Sequence, residues 1–193
     1  MLPVLGRCER VTLLDASKKF EVDNVSGVPV EYRLAQASGD IDLPDASVDL
    51  ITCFGVLHHI PNVSKVLSEF RRVMVPGGVA LIREPITSMG DWRRPRSGLT
   101  ARERGLPREL FLEMVRSCGL SVQRSTDCIF PPWTKLLYKL GLPMYSSRFN
   151  MRVDAVLARV FRFNYVYHRG GIWSRFGPGS LFLIVERPVR DNG

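Results

Sequence analysis

The chain has 193 residues, of which 45% are hydrophobic, and this is enough for one domain of ordinary size with its own core. Its four cysteines show no paired metal or redox spacing, which argues against a metal site and indicates reduced thiols. The net charge of +8 is unevenly placed: residues 1–90 hold 9 Lys or Arg and 11 Asp or Glu, whereas residues 91–193 hold 18 and 8.

The start of the chain carries no basic-then-apolar leader, and no apolar run approaches the length that spans a bilayer. We therefore expect a cytoplasmic protein, with peripheral membrane contact as the alternative. The basic second half, with clusters at residues 91–105 and 135–175, can attract nucleic acid, anionic lipid or an anionic substrate. Charge alone does not choose among these partners.

The first strand that the hydrophobic pattern predicts is a short, nearly continuous apolar run made of Val48, Leu50, Ile51, Cys53 and Phe54. Such a run is typical of a strand that is covered on both faces by helices. A parallel sheet is therefore expected.

A helix is predicted next, because apolar residues recur at helical spacing while charged residues lie mostly on the other side. The apolar positions are Val63, Val66, Leu67, Phe70, Val73 and Met74. The turn Pro76-Gly77-Gly78 is expected to end this helix, since proline cannot continue it and glycine adopts positive φ freely. The residues Val79 to Ile82 then predict a second buried strand, which completes a right-handed βαβ unit.

The segment GDIDLPDASVDLITCFGVLHHI at residues 39–60, followed by FRRVMVPGGVALI at residues 70–82, resembles the class I S-adenosylmethionine-dependent methyltransferases, in the branch that acts on small molecules and lipids. The likeness extends upstream to VTLLDAS at Val11 to Ser17, as the family's second strand. Downstream it covers a helix near Pro107 to Cys118, a strand near Leu120 to Asp127 and a last strand near Leu181 to Glu186. The resemblance implies an α/β fold with a Rossmann-like, doubly wound, mostly parallel sheet and an antiparallel last strand.

The resemblance also implies S-adenosyl-L-methionine as the cofactor and places its contacts along the chain. It assigns Asp15, with Ala16 beside it, to the ribose hydroxyls, and Asp40 with the backbone of Ile41 to the adenine. The residues next to the sulfonium would be Cys53, Phe54, Gly55 and Val56. A carboxylate at the carboxyl end of a strand can accept two hydroxyl hydrogen bonds, and ligands of open α/β sheets bind at those ends. The alternative interpretation, which each residue taken alone favours, is that Asp15 caps the helix near Ser17 and that Asp40 is a solvated loop acid.

One part of the family's pattern is missing, namely the glycine-rich loop that should precede Val11 by about twenty residues. Only MLPVLGRCER stands there. We therefore interpret residues 1–193 as one partial methyltransferase domain, truncated before the second strand. The two strands beside the missing first strand are expected to keep unpaired backbone groups unless they pair directly with each other.

The connection between the strands near Asp127 and Leu181 is far longer than an ordinary strand connection. We predict that this insertion, residues 129–179, is a basic, aromatic, helical lid that chooses the substrate. Helical periodicity runs over Thr134 to Leu140 and over Met151 to Phe163. A surface helix packed on its own domain is the favoured interpretation, and docking at a membrane interface is the alternative.

The candidate catalytic residues are His58, His59 and Glu84. The histidines can supply a general base, although methyl transfer often needs little beyond alignment and exclusion of water, and adjacent histidines at a strand end more often pack or hold a loop. Glu84, at the exit of its strand, is placed to face the substrate or, equally, to bond to nearby backbone.

We therefore predict methyl transfer from S-adenosylmethionine to a small or lipid-linked molecule, and the positive charge of the chain is compatible with an anionic one. The alternative is a non-catalytic methyltransferase-like remnant that acts as an interaction module, which the missing glycine-rich loop favours. A nucleic-acid-binding protein is suggested by charge only, because no base-reading or RNA-binding motif is present. Neither the methyl acceptor nor the oligomeric state follows from the sequence.

Overall fold

The computed structural model describes residues 5–36, 38–91, 93–100 and 103–189. Three positions of the basic stretch at residues 91–105, namely Trp92, Ala101 and Arg102, thus lie outside the described residues. The chain forms two compact units, residues 1–42 and residues 43–193.

The first unit contains a small three-stranded sheet in the order β1-β3-β2, built from β1 (Val11–Asp15), β2 (Asn24–Val25) and β3 (Val28–Leu34). β1 and β3 are parallel, with Val11 opposite Val30 and Asp15 opposite Leu34. β2 and β3 form an antiparallel hairpin whose two turn residues, Ser26 and Gly27, both have positive φ. This is the turn geometry that matches the natural twist of a hairpin. The sequence analysis did not predict this hairpin.

The second unit begins with the predicted βαβ unit, formed by β4 (Val48–Phe54), α1 (Val63–Val73) and β5 (Met74–Pro85). β4 and β5 are parallel, with Leu50 opposite Val79 and Phe54 opposite Arg83. Asn62 begins α1 by accepting the backbone N–H of Lys65 at 3.1 Å, as a helix cap does.

The predicted end of α1 is wrong in detail. The helix ends at Val73, and β5 starts at once and runs through Pro76-Gly77-Gly78, so this turn does not terminate the helix. The reason is that the backbone around the turn is used for pairing: Gly77 donates to the carbonyl of Arg187 at 2.8 Å, and Arg187 donates to the carbonyl of Gly78 at 2.9 Å.

The remaining elements are α2 (Arg108–Ser117), β6 (Ser121–Cys128), α3 (Pro131–Lys139), α4 (Arg148–Val160) and β7 (Ser180–Glu186). The sheet of this unit has the order β4-β5-β7-β6, and β7 is antiparallel to both of its neighbours. β4, β5 and β6 therefore run in one direction, which confirms the predicted α/β class and the antiparallel last strand. Both insertion helices start three residues earlier than predicted, because Pro131 occupies the first helical position of α3 and Ser147 caps α4.

The hydrophobic core lies in the second unit, where one face each of α1 and α2 and the strands β5 and β7 supply the buried side chains. Its fully buried members include Leu67, Val73, Ile82, Phe111, Leu181 and Leu183. In the first unit, Val28 is the one buried hydrophobic side chain among the described residues. Within the first unit, backbone hydrogen bonds between strands therefore contribute more to stability than a hydrophobic core does.

Each sheet has an open edge within the described part of the chain. β1 pairs with β3 alone, and β4 pairs with β5 alone. Each of these two strands therefore presents one row of backbone groups without a ladder. None of the helices in the described ranges is long and apolar enough to cross a membrane.

Candidate functional site

The carboxyl end of β1 carries Asp15, the residue predicted to meet the ribose. Its carboxylate Oδ1 accepts the backbone N–H of Ser17 at 2.8 Å, and no other described residue donates to the carboxylate. The carbonyl of Asp15 accepts from the Ala35 N–H at 2.8 Å and from the Tyr32 hydroxyl at 3.2 Å. Backbone contacts therefore hold Asp15 in place, while Oδ2 remains available as an acceptor. Ala16 follows it as an exposed residue.

The pKa of Tyr32 is raised from its ordinary value by partial burial and then by the nearby charge of Asp15. The Tyr32 hydroxyl therefore stays protonated, and it donates to the carbonyls of Asp15 and Ser17. This ties β3 to the turn that follows β1.

The second predicted acid, Asp40, is exposed in the loop that follows β3, and its neighbour Ile41 is half-buried. The backbone N–H of Asp40 donates to the Ser38 hydroxyl at 3.4 Å. Because β1 and β3 are adjacent and parallel, their carboxyl ends lie at the same edge of the sheet. The two segments with the predicted cofactor contacts, which follow β1 and β3, thus leave from one edge of the first unit.

In the second unit, the carboxyl end of β4 holds the other predicted cofactor residues. Phe54 and Val56 are 42% and 46% exposed, whereas Cys53 is buried. Burial, and then the charge of Glu84, raise the pKa of the Cys53 thiol far above its ordinary value, so this sulfur stays protonated. Gly55 has φ of +70° and donates its N–H to the carbonyl of Arg83 at 2.8 Å. An apolar, exposed wall therefore follows β4, with Cys53 turned into the core.

Glu84 is fully buried next to this turn. Its carboxylate accepts the backbone N–H groups of Val56 at 2.9 Å, Leu57 at 2.9 Å and His58 at 3.3 Å, together with the His58 ring nitrogen Nδ1 at 2.8 Å. A buried carboxylate with four hydrogen bonds is well satisfied. The geometry favours bonding to nearby backbone, the alternative interpretation of Glu84, and makes this residue a positioning residue for the segment after β4.

The two histidines meet a carboxylate that the sequence analysis did not single out, Glu103. His58 Nε2 lies 3.5 Å from Glu103 Oε1, and His59 Nδ1 lies 3.7 Å from Glu103 Oε2. Burial opposes ionisation of Glu103, but hydrogen bonds from Thr100 and the nearby histidines outweigh it and hold the pKa of the carboxyl below its ordinary value. Glu103 stands 44 positions beyond His59 in a loop without periodicity, so no local pattern in the sequence could have found it.

The insertion at residues 129–179 is anchored on the segment that follows β5. The Tyr165 hydroxyl donates to the carbonyl of Ile86 at 2.8 Å, and the Tyr167 hydroxyl donates to the carbonyl of Gly105 at 2.9 Å. The guanidinium carbon of Arg83 lies 5.8 Å from the centre of the Phe54 ring and 5.1 Å from that of the Tyr145 ring. The Arg83 side chain thus lies between an insertion residue, Tyr145, and Phe54 at the end of β4.

The outer surface of the insertion is both apolar and basic. Its exposed side chains include Tyr138 at 87%, Phe163 at 84% and Trp173 at 78%. Residues 129–179 hold eight Lys or Arg and a single acid, Asp154, which is buried. The exposed surface of this segment therefore carries positive charge without an exposed carboxylate.

A cavity of about 400 Å³ opens in the insertion and is lined by three cationic side chains, Lys135, Arg169 and Arg175. Arg169 donates to the carbonyls of Gly177 at 3.0 Å and Pro178 at 2.8 Å, while its buried Nε has no hydrogen-bond partner among the described residues. Burial lowers the pKa of Arg169 from its ordinary value. The charge of this cavity suits an anionic group.

A family model described as "Methyltransferase domain" matches residues 1–82. The "Ubiquinone biosynthesis O-methyltransferase" of Pseudomonas putida (strain W619) is 40% identical over 53 residues, which are 28% of this chain and 23% of that protein. A "Thiol S-methyltransferase" of Homo sapiens is 35% identical over 91 residues, which cover 43% of this chain and 37% of that protein. The matches therefore span well under half of the length of these relatives.

Solved structures give a likeness over most of the chain. An S-adenosylmethionine-dependent methyltransferase from Mesorhizobium loti has a TM-score of 0.57 at 15% identity, covering 93% of this chain and 81% of that one. A methyltransferase structure from Bacillus halodurans has a TM-score of 0.56 at 16% identity, covering 93% and 83%. At these identities the likeness shows the fold.

Proposed function

We propose, from the match of residues 1–82 to a methyltransferase family model and from the likeness in fold to solved methyltransferases, that this chain is a class I S-adenosylmethionine-dependent methyltransferase that transfers a methyl group to a small or lipid-linked molecule. The observation that carries the proposal is Asp15. It lies at the carboxyl end of a parallel strand, accepts backbone hydrogen bonds from Ser17 and Ala35, and keeps carboxylate Oδ2 available for a hydroxyl.

Each unit, considered separately, contains residues of the kind that would bind part of this cofactor. In the first unit, Asp15 with Ala16 would accept the ribose hydroxyls, and Asp40 with the Ile41 backbone would meet the adenine. In the second unit, Phe54, Gly55 and Val56 would form an apolar wall for the methyl-bearing sulfur, with Cys53 as a protonated support behind them. The bound cofactor supplies an electrophilic methyl group.

The contribution of the chain would be to align the acceptor and to exclude water. Holding two reactants in a near-attack geometry can lower a barrier by about 7 to 11 kcal/mol relative to the bimolecular reaction. Glu84 would position the turn after β4 through its hydrogen bonds to Val56, Leu57 and His58. His58 and His59, the predicted catalytic residues, stand on that same turn. His59 is exposed and would face the acceptor, whereas His58 is buried against Glu84.

We assign acceptor choice to the insertion. Tyr145 reaches the wall after β4 through Arg83, and the cavity with Lys135, Arg169 and Arg175 offers a place for an anionic group. The two curated relatives compared above are named for oxygen and sulfur acceptors, which supports a small-molecule substrate. The exposed aromatic and basic surface of the insertion supports a substrate that is presented at an anionic lipid surface.

A second function, an interaction module, is favoured by one specific observation. β1 and β4 each lack a ladder on one side within the described residues, and an open edge can accept a strand from another chain. On this alternative, the chain would form stable complexes but would not bind the cofactor.

The experiment that tests methyl transfer uses radiolabelled S-adenosylmethionine and a panel of acceptors: a catechol, an alkyl thiol and their lipid-linked forms in mixed vesicles. We expect label in at least one acceptor, and we expect Asp15→Asn to abolish most of it while Asp23→Asn, an exposed acid of the same unit, leaves it unchanged. An absence of label in every acceptor, or equal label with Asp15→Asn, would contradict the proposal.

A further inference from the structure

The turn after β4 and the loop before α2 bring three potential metal ligands together. They are His58, His59 and Glu103, each of which offers one ligand atom, and these atoms all lie within 4.8 Å of one another. His58 Nε2 and Glu103 Oε1 are 3.5 Å apart, and His59 Nδ1 and Glu103 Oε2 are 3.7 Å apart. Two ligands of a tetrahedral zinc ion, each bound at roughly 2.1 Å, are separated by about 3.4 Å. These two distances, which run to different oxygens of the Glu103 carboxylate, are close to that ligand separation.

The buried face of the cluster has the support that metal-binding histidines usually possess. His58 is 6% exposed, and its Nδ1 is hydrogen-bonded at 2.8 Å to Glu84, which is fully buried. A carboxylate behind the ring fixes its orientation and places the lone pair on the other nitrogen. Because Nε2 is the atom that faces Glu103, this is the nitrogen that becomes available to an ion.

The carboxylate ligand is held in place independently of the histidines. Glu103 Oε2 accepts the backbone N–H of Thr100 at 2.8 Å, and the carbonyl of Glu103 accepts from Arg96 at 2.7 Å. The next residue, Arg104, donates its backbone N–H to the carbonyl of His58 at 3.2 Å. The loop is thus fastened to the histidine turn by its main chain, so the cluster is largely preformed.

The structure assigns a divalent metal site to His58, His59 and Glu103, with Zn²⁺ or a similar first-row transition ion as the ligand. Two imidazoles and one carboxylate are the ligand types that Zn²⁺ prefers, whereas Mg²⁺ and Ca²⁺ prefer oxygen ligands alone. The sequence analysis predicted no metal site, because it considered cysteine spacing and the third ligand lies far along the chain.

The site has an open side. The side chain of His59 is 40% exposed, whereas those of His58 and Glu103 are 7% and 11% exposed. Three protein ligands with an approach from solvent leave a fourth position for water or for a substrate atom. The turn with the two histidines directly follows Phe54 to Val56 along the chain. An ion bound here would therefore lie beside the apolar wall that we propose for the methyl-bearing sulfur. The assignment of the site itself does not depend on methyl transfer.

The test is a titration of the full chain, freed of metal with a chelator, with Zn²⁺ by calorimetry and with Co²⁺ by visible absorption. We expect one equivalent to bind, with the absorption of cobalt in a nitrogen and oxygen environment. His59→Ala is expected to weaken binding at least tenfold, whereas His168→Ala, which removes the third histidine of the chain and is likewise exposed, leaves the affinity unchanged.

Two further variants distinguish the loss of a metal ligand from the loss of the group that orients a ligand. Glu103→Gln removes a ligand, whereas Glu84→Gln weakens the support behind the His58 ring together with the backbone hydrogen bonds of that turn, for which we expect a loss of about 10- to 100-fold in affinity. Thermal unfolding of each variant checks that it folds, and His59→Ala remains the decisive variant because this side chain is exposed. Failure of wild-type protein to bind, equal affinity with His59→Ala, or a cobalt spectrum with thiolate charge-transfer bands would overturn the assignment.

Discussion

Asp154 shows how one buried side chain can hold an unfavourable backbone conformation. Ile129, between β6 and α3, has φ of +59°, which a β-branched residue seldom adopts. The Asp154 carboxylate, 1% exposed on α4, accepts the N–H groups of Ile129 at 2.7 Å and Phe130 at 2.8 Å. The one acid of the insertion is therefore its structural anchor, and this explains why it is buried in an otherwise basic segment.

Replacing Asp154 with alanine should reduce the free energy of unfolding, because two backbone N–H groups lose their acceptor at a cost of about 1–3 kcal/mol each. Burial raises the pKa of Asp154 above its ordinary value of 3.8, against the opposing effect of the two hydrogen bonds. A raised folded pKa means that the stability linked to the bound proton is present below 3.8 and is lost as pH rises through the folded pKa.

The free energy of unfolding of wild type should exceed that of Asp154→Ala at every pH up to neutral. This difference should become smaller as pH rises from 3.8 through the raised pKa of Asp154 in the folded protein. Urea unfolding at a series of pH values measures it, with the exposed Glu113→Ala as the control that should show no comparable effect. A difference that widens with pH would contradict this account.

At the scale of single residues, a contiguous motif was enough to predict candidate site residues at strand ends, but not a residue that only folding brings to the histidines. Asp15, Gly55 and Glu84 stand at strand ends that the hydrophobic pattern or the motif located. Glu103 reaches the histidines through a loop with no periodic pattern, and its position depends on backbone hydrogen bonds that sequence spacing does not reveal.

Among the elements, the turn that connects β4 to the histidines depends on the backbone of Gly55. Its φ of +70° lies in the left-handed region, where a residue with a side chain is disfavoured by about 1–2 kcal/mol. A Cβ at this position would lie 3.7 Å from His58 Cε1, which is ordinary contact, so the cost comes from the backbone and not from a clash.

Gly55→Ala should therefore lower the free energy of unfolding by about 1–2 kcal/mol. Gly170→Ala is the matched control, because nothing lies within 4 Å of its Cβ position and its φ is not in the left-handed region. Chemical denaturation measures this, and we expect a lower denaturant midpoint for Gly55→Ala than for Gly170→Ala. Equal midpoints for the two variants would show that the turn does not need positive φ at residue 55.

The βαβ unit could be predicted because β4, α1 and β5 each carry a strong apolar pattern. The expectation that helices cover both faces of β4 is wrong, since Cys53 is the one buried residue of this strand and Phe54 is exposed. The hairpin of β2 and β3 could not be predicted in the same way. β3 contains Pro29, Glu31 and Arg33, and its burial is mixed, so its order comes from pairing with β1 and from the turn at Ser26 and Gly27. The extent of β5 beyond Ile82, the last residue of the predicted strand, likewise follows from pairing with β7, which lies far away in the sequence.

For the whole molecule, the predicted resemblance to class I methyltransferases is confirmed by the match of residues 1–82 and by the likeness to solved structures. Part of the uneven charge is located in the insertion, residues 129–179, which carries basic residues together with exposed aromatic side chains. Aromatic residues partition to the boundary of a bilayer, and each basic residue near an anionic surface contributes about 1 kcal/mol.

We therefore expect the chain to sediment with vesicles that contain phosphatidylserine more than with neutral vesicles, and less so as salt increases. The double variant Phe163→Ser with Trp173→Ser should weaken binding by about tenfold or more, since each side chain loses apolar burial in the membrane. Phe20→Ser, an exposed aromatic residue of the first unit, is the control. Equal sedimentation with neutral vesicles would contradict docking at an anionic surface.

The measurement that tests the central claim most directly is calorimetric titration of the chain with S-adenosylmethionine. The account predicts saturable binding of one equivalent, a loss of about tenfold or more in affinity for Asp15→Asn because a charged hydrogen-bond acceptor is removed, and no change for Asp23→Asn. The absence of heat at millimolar cofactor, or an Asp15→Asn variant that binds as wild type does, would contradict it.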